Sequence, residues 1–361
     1  MKFLKDGAII LVLTGVLFLG FEGCLRIFSP QESRHEYLSE KRGASRDAVL
    51  GHVNTPGAHY RTSHPEFTAE YLIDDSGFRH DGSPNLESDS LKTILILGDS
   101  FTFGAGVNYE ETWPSVFERN IKTAGQFRVI NAGVPGYDTR TELIYLERLY
   151  SQIQPDVVIL AFLPNDVFTN KPVDRDRLRN QSEKLSGQIM VEKQDKPATF
   201  HTIVFFKRLL MGGDGFYTQL YNMTPSAKFF AVSPQPEIQR QFEISKALIA
   251  EMNRFCQTQN TPFLTLSIPQ QFQTLVAANQ LELDGIDVHQ MDRNFSQFAN
   301  QEKFVWIETL PALAKIYKQN KVDLYFRYDG HLTQEGNAAV GKLLAERFFT
   351  FLSENDHHFS R

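Results

Sequence analysis

The stretch TILILGDSFTFG, residues 93–104, decides the fold. Its first half is a short continuous apolar run, as expected of a strand covered on both faces. Its second half sets an Asp-Ser pair between two glycines where that strand would end. Two readings of Ser100 are open. It is either a nucleophile or the polar residue that caps the next helix, a position where Ser and Asp are common. A serine hydroxyl is a poor nucleophile by itself. The first reading therefore needs a base, a group that orients the base, and donors for an oxyanion elsewhere in the chain.

Working outward, a helix is expected near residues 113–122, and FRVINAG (127–133) reads as a second strand ending in a Gly turn. In TRTELIYLERLYSQIQP (139–155), Leu143, Leu146, Tyr150 and Ile153 recur at helical spacing. Thr139 and Glu142 match a capping box there, and Pro155 ends the helix. DVVILAF (156–162), FLTLSIP (263–269) and FVWIE (304–308) are further strands, with an amphipathic helix over Pro236–Gln257 and a last helix near 334–349. Strands separated by helices imply right-handed crossovers, hence an α/β fold with a five-stranded, mostly parallel sheet. The domain is expected over 92–350, interrupted at 170–235 by a segment rich in Lys, Asn, Gln and Gly. That segment reads as an insertion, a candidate lid over the carboxyl ends of the strands. Residues 29–91 read as an irregular N-terminal extension, and 351–361 as a polar tail.

Composition narrows the function. The 361 residues carry a net charge of −6, which argues against a nucleic-acid surface. GAGVNY (104–109) lacks the third glycine of a dinucleotide loop, no G-K-[ST] occurs, and the histidines show no metal-ligand spacing. No cofactor or metal is expected. Cys24 and Cys256 make no disulfide framework. At the N-terminus, Lys2 and Lys5 precede an uncharged apolar run from Ala8 to Phe21, which as a helix is about 21 Å long. Continuing to Phe28 reaches the length of a membrane span but takes in Glu22 and Arg26, spaced to pair. A cleaved signal peptide and an uncleaved anchor both fit. No small-x-small cleavage pattern stands near residues 20–26, and Phe21-Glu22-Gly23 is a poor approach to a lipidated cysteine, so the anchor (residues 1–28) is preferred. The basic end then stays in the cytoplasm and the body is exported.

In an open α/β sheet, ligands bind beyond the carboxyl ends of the strands. The distinctive polar residues fall at such ends. Ser100 follows the first strand, Gly133 and Gly136 the second, and Asn165 of LPNDV the third; Asp329 and His331 of RYDGHLTQEG precede the last helix. Singly, each has a plain structural reading as a turn or a cap. Together, in this order, they form a candidate site.

These residues resemble the SGNH hydrolase (GDSL-type esterase/acylhydrolase) superfamily. Gly98-Asp99-Ser100 matches its first block, Gly136 of NAGVPG its second, Asn165-Asp166 its third, and Asp329 with His331 its last. The N-terminal apolar segment followed by SGFR (76–79) and GDSFTFG is similar to membrane-anchored bacterial members. The resemblance implies a three-layer α/β/α sandwich of flavodoxin-like type behind an N-terminal transmembrane helix. It further implies Ser100 as nucleophile, His331 as general base, Asp329 as its orienter, and an oxyanion hole of Ser100, Gly136 and Asn165. Asp99 is read as a loop-fixing residue. The implied partner is an ester substrate, with O-acetyl groups of an extracytoplasmic glycan as candidate. The alternatives are an O-acyltransferase with the same machinery and a non-catalytic glycan-binding or assembly protein. Two departures stand out: Pro164 replaces the usual Gly of the third block, and the last block reads Asp-x-His rather than Asp-x-x-His. In an extended segment, residues i and i+2 share a side, so Asp329 can still reach His331.

Overall fold

The computed structural model describes residues 2–31, 34–82, 91–122, 127–173 and 200–354. The tail at 355–361 and the 174–199 portion of the expected insertion lie outside these residues. The chain opens with helix α1 (Lys2–Phe28), in which Ile9–Phe28 has a mean hydropathy of 1.9 and is long and apolar enough to cross a membrane. Arg26 Nε donates to Glu22 Oε1 at 2.7 Å, the pair that their spacing predicts.

Residues 29–91, expected to be irregular, instead carry strands β1 (Arg34–Tyr37), β2 (Ala44–Asp47), β3 (Gly51–Asn54), β4 (His59–His64), β5 (Phe67–Ile73) and β6 (Arg79–His80). β1-β4-β5-β6 form an antiparallel sheet, and β2 with β3 a separate hairpin. The period of two is present but thin. Along β5 only Ala69, Tyr71 and Ile73 are buried, in one cluster with Phe103 of the main domain, while the other residues of the strand are half-buried or exposed. Stability here comes from packing on that domain rather than from a core of its own.

The main sheet contains β7 (Lys92–Gly98), β8 (Phe127–Gly133), β9 (Val157–Phe162), β10 (Phe263–Ser267) and β11 (Val305–Glu308). Their order is β8-β7-β9-β10-β11, and every neighbouring pair is parallel. Numbered within the sheet this is 2-1-3-4-5, so the chain reverses direction across the sheet between β7 and β9. Side chains of β7 alternate between two cores. Leu95 and Leu97 face one, Ile94 and Ile96 the other, all fully buried. That two-sided burial explains the unbroken apolar run and makes the three layers.

The helices are α2 (Ser100–Phe103), α3 (Trp113–Ile121), α4 (Thr139–Ile153), α5 (Pro164–Thr169), α6 (His201–Met211), α7 (Asp214–Asn222), α8 (Pro236–Thr258), α9 (Gln271–Asn279), α10 (Gln290–Glu302), α11 (Leu310–Asn320) and α12 (Gln334–Glu354). α3 and α12 cover one face of the sheet, α4 and α8 the other. The cap of α4 differs from expectation. Asp138, not Thr139, is the N-cap, its carboxylate accepting the Thr141 N–H at 2.9 Å. Glu142 is left without a capping role and is buried. The described part of the expected insertion is helical. Glu22 of α1 caps α6, accepting from the His201 and Thr202 N–H groups at 3.0 and 2.8 Å and from the Thr202 hydroxyl at 2.9 Å.

One buried acid tests the packing of the β10 side. Asp292 on α10 is 3% exposed and accepts the Ser267 hydroxyl at 2.5 Å. Burial pushes its carboxyl up to about 6 against that hydrogen bond, with the Glu308 charge adding to the rise. The folded value lies above the unfolded one of about 4. The stability it contributes is therefore complete below about pH 4 and lost as pH rises through about 6. Asp292→Asn is expected to raise Tm by a few degrees at pH 8 and by little at pH 4, read by thermal unfolding at both. An equal shift at the two pH values would refute this account.

Candidate active site

Ser100 stands where β7 ends. The next residues wind into the single turn of α2, and Asp99 caps it, its carboxylate accepting the Phe101 N–H at 2.8 Å. The capping role open to Ser100 in the sequence is thus held by its neighbour, and the Ser100 hydroxyl is left for another partner. That partner is His331, whose Nε2 lies 2.7 Å from Ser100 Oγ.

His331 Nδ1 lies 2.5 Å from Asp329 Oδ1. Burial opposes ionisation of Asp329, but the hydrogen bond from His331 outweighs it and holds the carboxyl below its usual range. An ionised carboxylate only accepts, so Nδ1 carries the proton and donates it. Nε2 is then the acceptor for the Ser100 hydroxyl. The connection is not the extended segment expected from the sequence. Residues 327–329 form a turn, Gly330 sits at φ +88, and the Phe326 N–H donates to the His331 carbonyl at 2.8 Å. A turn folds the two side chains together as well as an extended strand would. The Phe101 ring packs 4.9 Å from the imidazole centroid.

The other two loops lie alongside. Gly98 pairs with Gly133 across β7 and β8, and the Val134 N–H donates to the Gly98 carbonyl at 3.0 Å. A Cβ on Gly133 would stand 2.3 Å from the Phe103 backbone nitrogen, so only glycine lets α2 settle on β8. Gly136 follows in a turn at φ +86. Asn165 is on α5, at the end of β9, and its Nδ2 donates to Asp99 Oδ2 at 2.9 Å. One N–H of that amide remains for a ligand. Pro164, the departure from the family's usual Gly, occupies the first turn of α5, where a missing N–H costs nothing. The structure therefore links Ser100, Asp329 and His331 directly, joins Asn165 to them through Asp99, and places Gly136 on the adjoining loop.

Behind this lies a group of buried acids. Burial pushes the Asp99 carboxyl up, against the hydrogen bonds from Asn165 and Phe101. Burial, then the proximity of other acids, pushes Glu142 and Asp166 well above their ordinary range.

Four residues of the N-terminal strands and their turns add further contacts, which sequence reading missed. The Glu66 carboxylate, at the β4–β5 turn, accepts the Asp329 N–H at 2.9 Å and the Tyr328 N–H at 3.1 Å. His52 Nε2 donates to the Pro135 carbonyl at 2.8 Å, beside Gly136, and Asn54 Nδ2 to the Gly133 carbonyl at 3.0 Å. Arg79, fully buried, donates to the Phe103, Gly104 and Val107 carbonyls, each at 2.6 Å, just after Ser100. The SGFR stretch was the one signal for Arg79; nothing around Glu66 or His52 in the sequence marks a role. Removing the Glu66 carboxylate frees the backbone that carries the dyad. Glu66→Ala is expected to lower turnover about 10- to 10²-fold with KM nearly unchanged, since small misplacements carry such costs. Glu66→Gln, which keeps an acceptor, should recover most of it. Steady-state kinetics of the two variants checks this.

A model of the GDSL-like lipase/acylhydrolase family matches residues 96–339. The chain is 34% identical over 80 residues to an arylesterase of Vibrio mimicus, a match covering 22% of this chain and 40% of that protein. It is 26% identical over 76 residues to the esterase TesA of Pseudomonas aeruginosa, covering 21% and 38%. The matched region thus spans about 40% of the length of these curated relatives. Among solved structures, the psychrotrophic esterase EstA from Pseudoalteromonas sp. aligns with a TM-score of 0.43 at 14% identity, over 73% of this chain and 99% of that one.

Proposed function

Because the chain belongs to the GDSL-like lipase/acylhydrolase family, we propose that it is a serine carboxylic ester hydrolase with Ser100 as nucleophile, His331 as general base and acid, and Asp329 as the orienter of the imidazole. The observation that carries this reading is the unbroken hydrogen-bonded chain from Ser100 Oγ to His331 to Asp329, at 2.7 and 2.5 Å. In the proposed reaction Ser100 Oγ attacks the ester carbonyl as its proton passes to His331 Nε2. The oxyanion is met by the Ser100 and Gly136 N–H groups and the free N–H of the Asn165 amide. The imidazolium gives its proton to the departing alcohol, leaving an acyl-serine. Water, giving a proton to His331 Nε2, then attacks the acyl carbon; the bond to Ser100 Oγ breaks, the imidazolium returns the proton to that oxygen, and the carboxylic acid leaves.

The side chains of His331 and Asp329 each remain 23% exposed. Water reaches the base, which favours hydrolysis over transfer to a sugar hydroxyl. An open alcohol side also suits an ester borne on a polymer, and O-acetyl groups of an extracytoplasmic glycan are the proposed substrate. α1 is read as an uncleaved single-pass anchor with Lys2 and Lys5 in the cytoplasm.

Labelling by a fluorophosphonate, lost in Ser100→Ala, tests the nucleophile. Incubation with acetylated xylan tests the rest: free acetate is expected, and acetylated acceptor sugar without acetate would make the protein a transferase. Asn165→Ala is expected to cost about 10²- to 10³-fold in kcat with little change in KM, as for loss of one oxyanion donor. Wild-type kcat in that variant would remove Asn165 from the oxyanion site.

A further inference from the structure

α6 is fixed against the outer part of α1. Phe18 meets Phe200 at 5.5 Å between ring centroids, and Phe21 meets Phe205 and Phe206 at 5.7 and 5.9 Å. The Glu22 cap described above locks the start of α6 at the same level. Among the described residues, much of the remaining apolar surface of α6 is left exposed. Ile203, Leu209 and Leu210 are 57%, 64% and 58% exposed, and Phe206, although it touches Phe21, keeps an exposed edge. The apolar surface continues onto α7 through Phe216 and Leu220, and a groove of about 600 Å³ runs between the two helices down to Phe18. Apolar patches of this extent on a water-exposed surface mark a site of contact.

The patch is continuous with the exposed apolar surface of α1 at Ile9–Leu19. We propose that α6 and α7 lie in the interface of the membrane that α1 enters, their apolar faces covered by its lipid. The inference rests on the reading of α1 as an anchor. Two features favour lipid as the occupant. Phe21, where α6 is attached, lies seven residues before Phe28, or about 10 Å along the helix. Interfacial helices bury their apolar faces to about 5–10 Å. Lys207 on α6 is exposed at the groove, and a basic side chain there meets the phosphates of headgroups. Arg208, one residue on, turns inward to the Tyr328 ring at 5.6 Å and to Gln31 Oε1 at 3.0 Å. The face is thus joined through Tyr328 to the loop of Asp329.

The test uses the full-length chain with Cys24→Ser, reconstituted in phosphatidylcholine–phosphatidylglycerol vesicles. Cys256 is buried and its thiol pushed up to about 12, so it stays unlabelled. Nitroxides are placed singly by Ile203→Cys, Leu210→Cys and Phe216→Cys, with Leu13→Cys as the anchor reference and Lys228→Cys, an exposed position, as the aqueous one. Accessibility to oxygen and to a neutral nickel chelate is read by power saturation. Residues 203, 210 and 216 are expected to favour oxygen several-fold over their ratio at 228, approaching residue 13. If residue 13 reports lipid while all three report water, the inference is overturned and the anchor stands. If residue 13 also reports water, both fall. If the three sites exclude both reagents and show spin–spin broadening, a second copy of the chain covers the face and the inference is overturned.

Discussion

Ser100→Ala is expected to lower kcat by about 10⁴- to 10⁶-fold, His331→Ala by a similar factor, and the double variant by little more than either. The near-absence of additivity follows from the geometry. Nε2 accepts the proton of a hydroxyl 2.7 Å away, so either deletion disables the same step. The structure adds a control. Asp99, not Ser100, caps α2, so Ser100→Ala removes chemistry without removing a cap. Its unfolding free energy should stay within about 0.5 kcal/mol of wild type. A folded Ser100→Ala protein with wild-type turnover would end the nucleophile assignment, and a double variant showing the product of the two single losses would end the shared step. Burst kinetics with p-nitrophenyl acetate and urea unfolding supply both measurements.

Arg79→Met is expected to destabilise the protein by about 3–5 kcal/mol, the range for removing one partner of a buried charged network. The guanidinium lies over the Tyr71 and Phe103 rings at 4.6 and 4.9 Å and donates to three consecutive-loop carbonyls. Burial lowers its pKa to about 10, which leaves it charged at neutral pH. Methionine fills the space but leaves those carbonyls dry and unpaired, at roughly 1–3 kcal/mol each before relaxation. Arg79→Lys should recover only part, because an ammonium cannot present the planar fork that serves three acceptors at once. Fluorophosphonate labelling of Ser100 should slow in parallel, since the same carbonyls belong to the loop that holds α2. An unchanged urea midpoint in Arg79→Met would show the network to be dispensable.

The parts of the fold legible in the sequence are those whose burial is complete. β7 and β9 are nearly unbroken apolar runs because helices cover both faces of their sheet, and α8 carries a clear apolar stripe. α9 was not seen because it is buried almost all round, which leaves no polar face to set a period. Of the strands in residues 34–80 only the end of β5, at the apolar start of EYLIDDSGFRH (70–80), is legible, because elsewhere only alternate positions turn inward and several of these are polar. The site was legible where its residue types are distinctive and follow strand ends. It was illegible where the contribution is positional. Glu66 acts on backbone N–H groups 262 and 263 residues away, and no local pattern encodes such a contact. The α4 cap shows a smaller failure of the same kind: Asp138 and Thr139 both suit a cap, and only the backbone path distinguishes them.

The N-terminal strands hold the nucleophile loop, the Gly136 turn and the dyad loop from one side, through Arg79, through His52 with Asn54, and through Glu66. These contacts differ greatly in reach. Arg79 and Phe103 are 24 residues apart, whereas Glu66 and Asp329 are 263 apart. As the chain grows from its N-terminus, the cradle and the loop after Ser100 are both available early, and His331, the proposed base, follows Ser100 by 231 residues. Closing so large a loop is also the slower event once synthesis ends. A nascent or shortened chain therefore presents a formed serine turn with no histidine to activate it. On the proposed mechanism, turnover requires a chain extended past His331, and fluorophosphonate labelling of Ser100 should be absent from one that stops short of it.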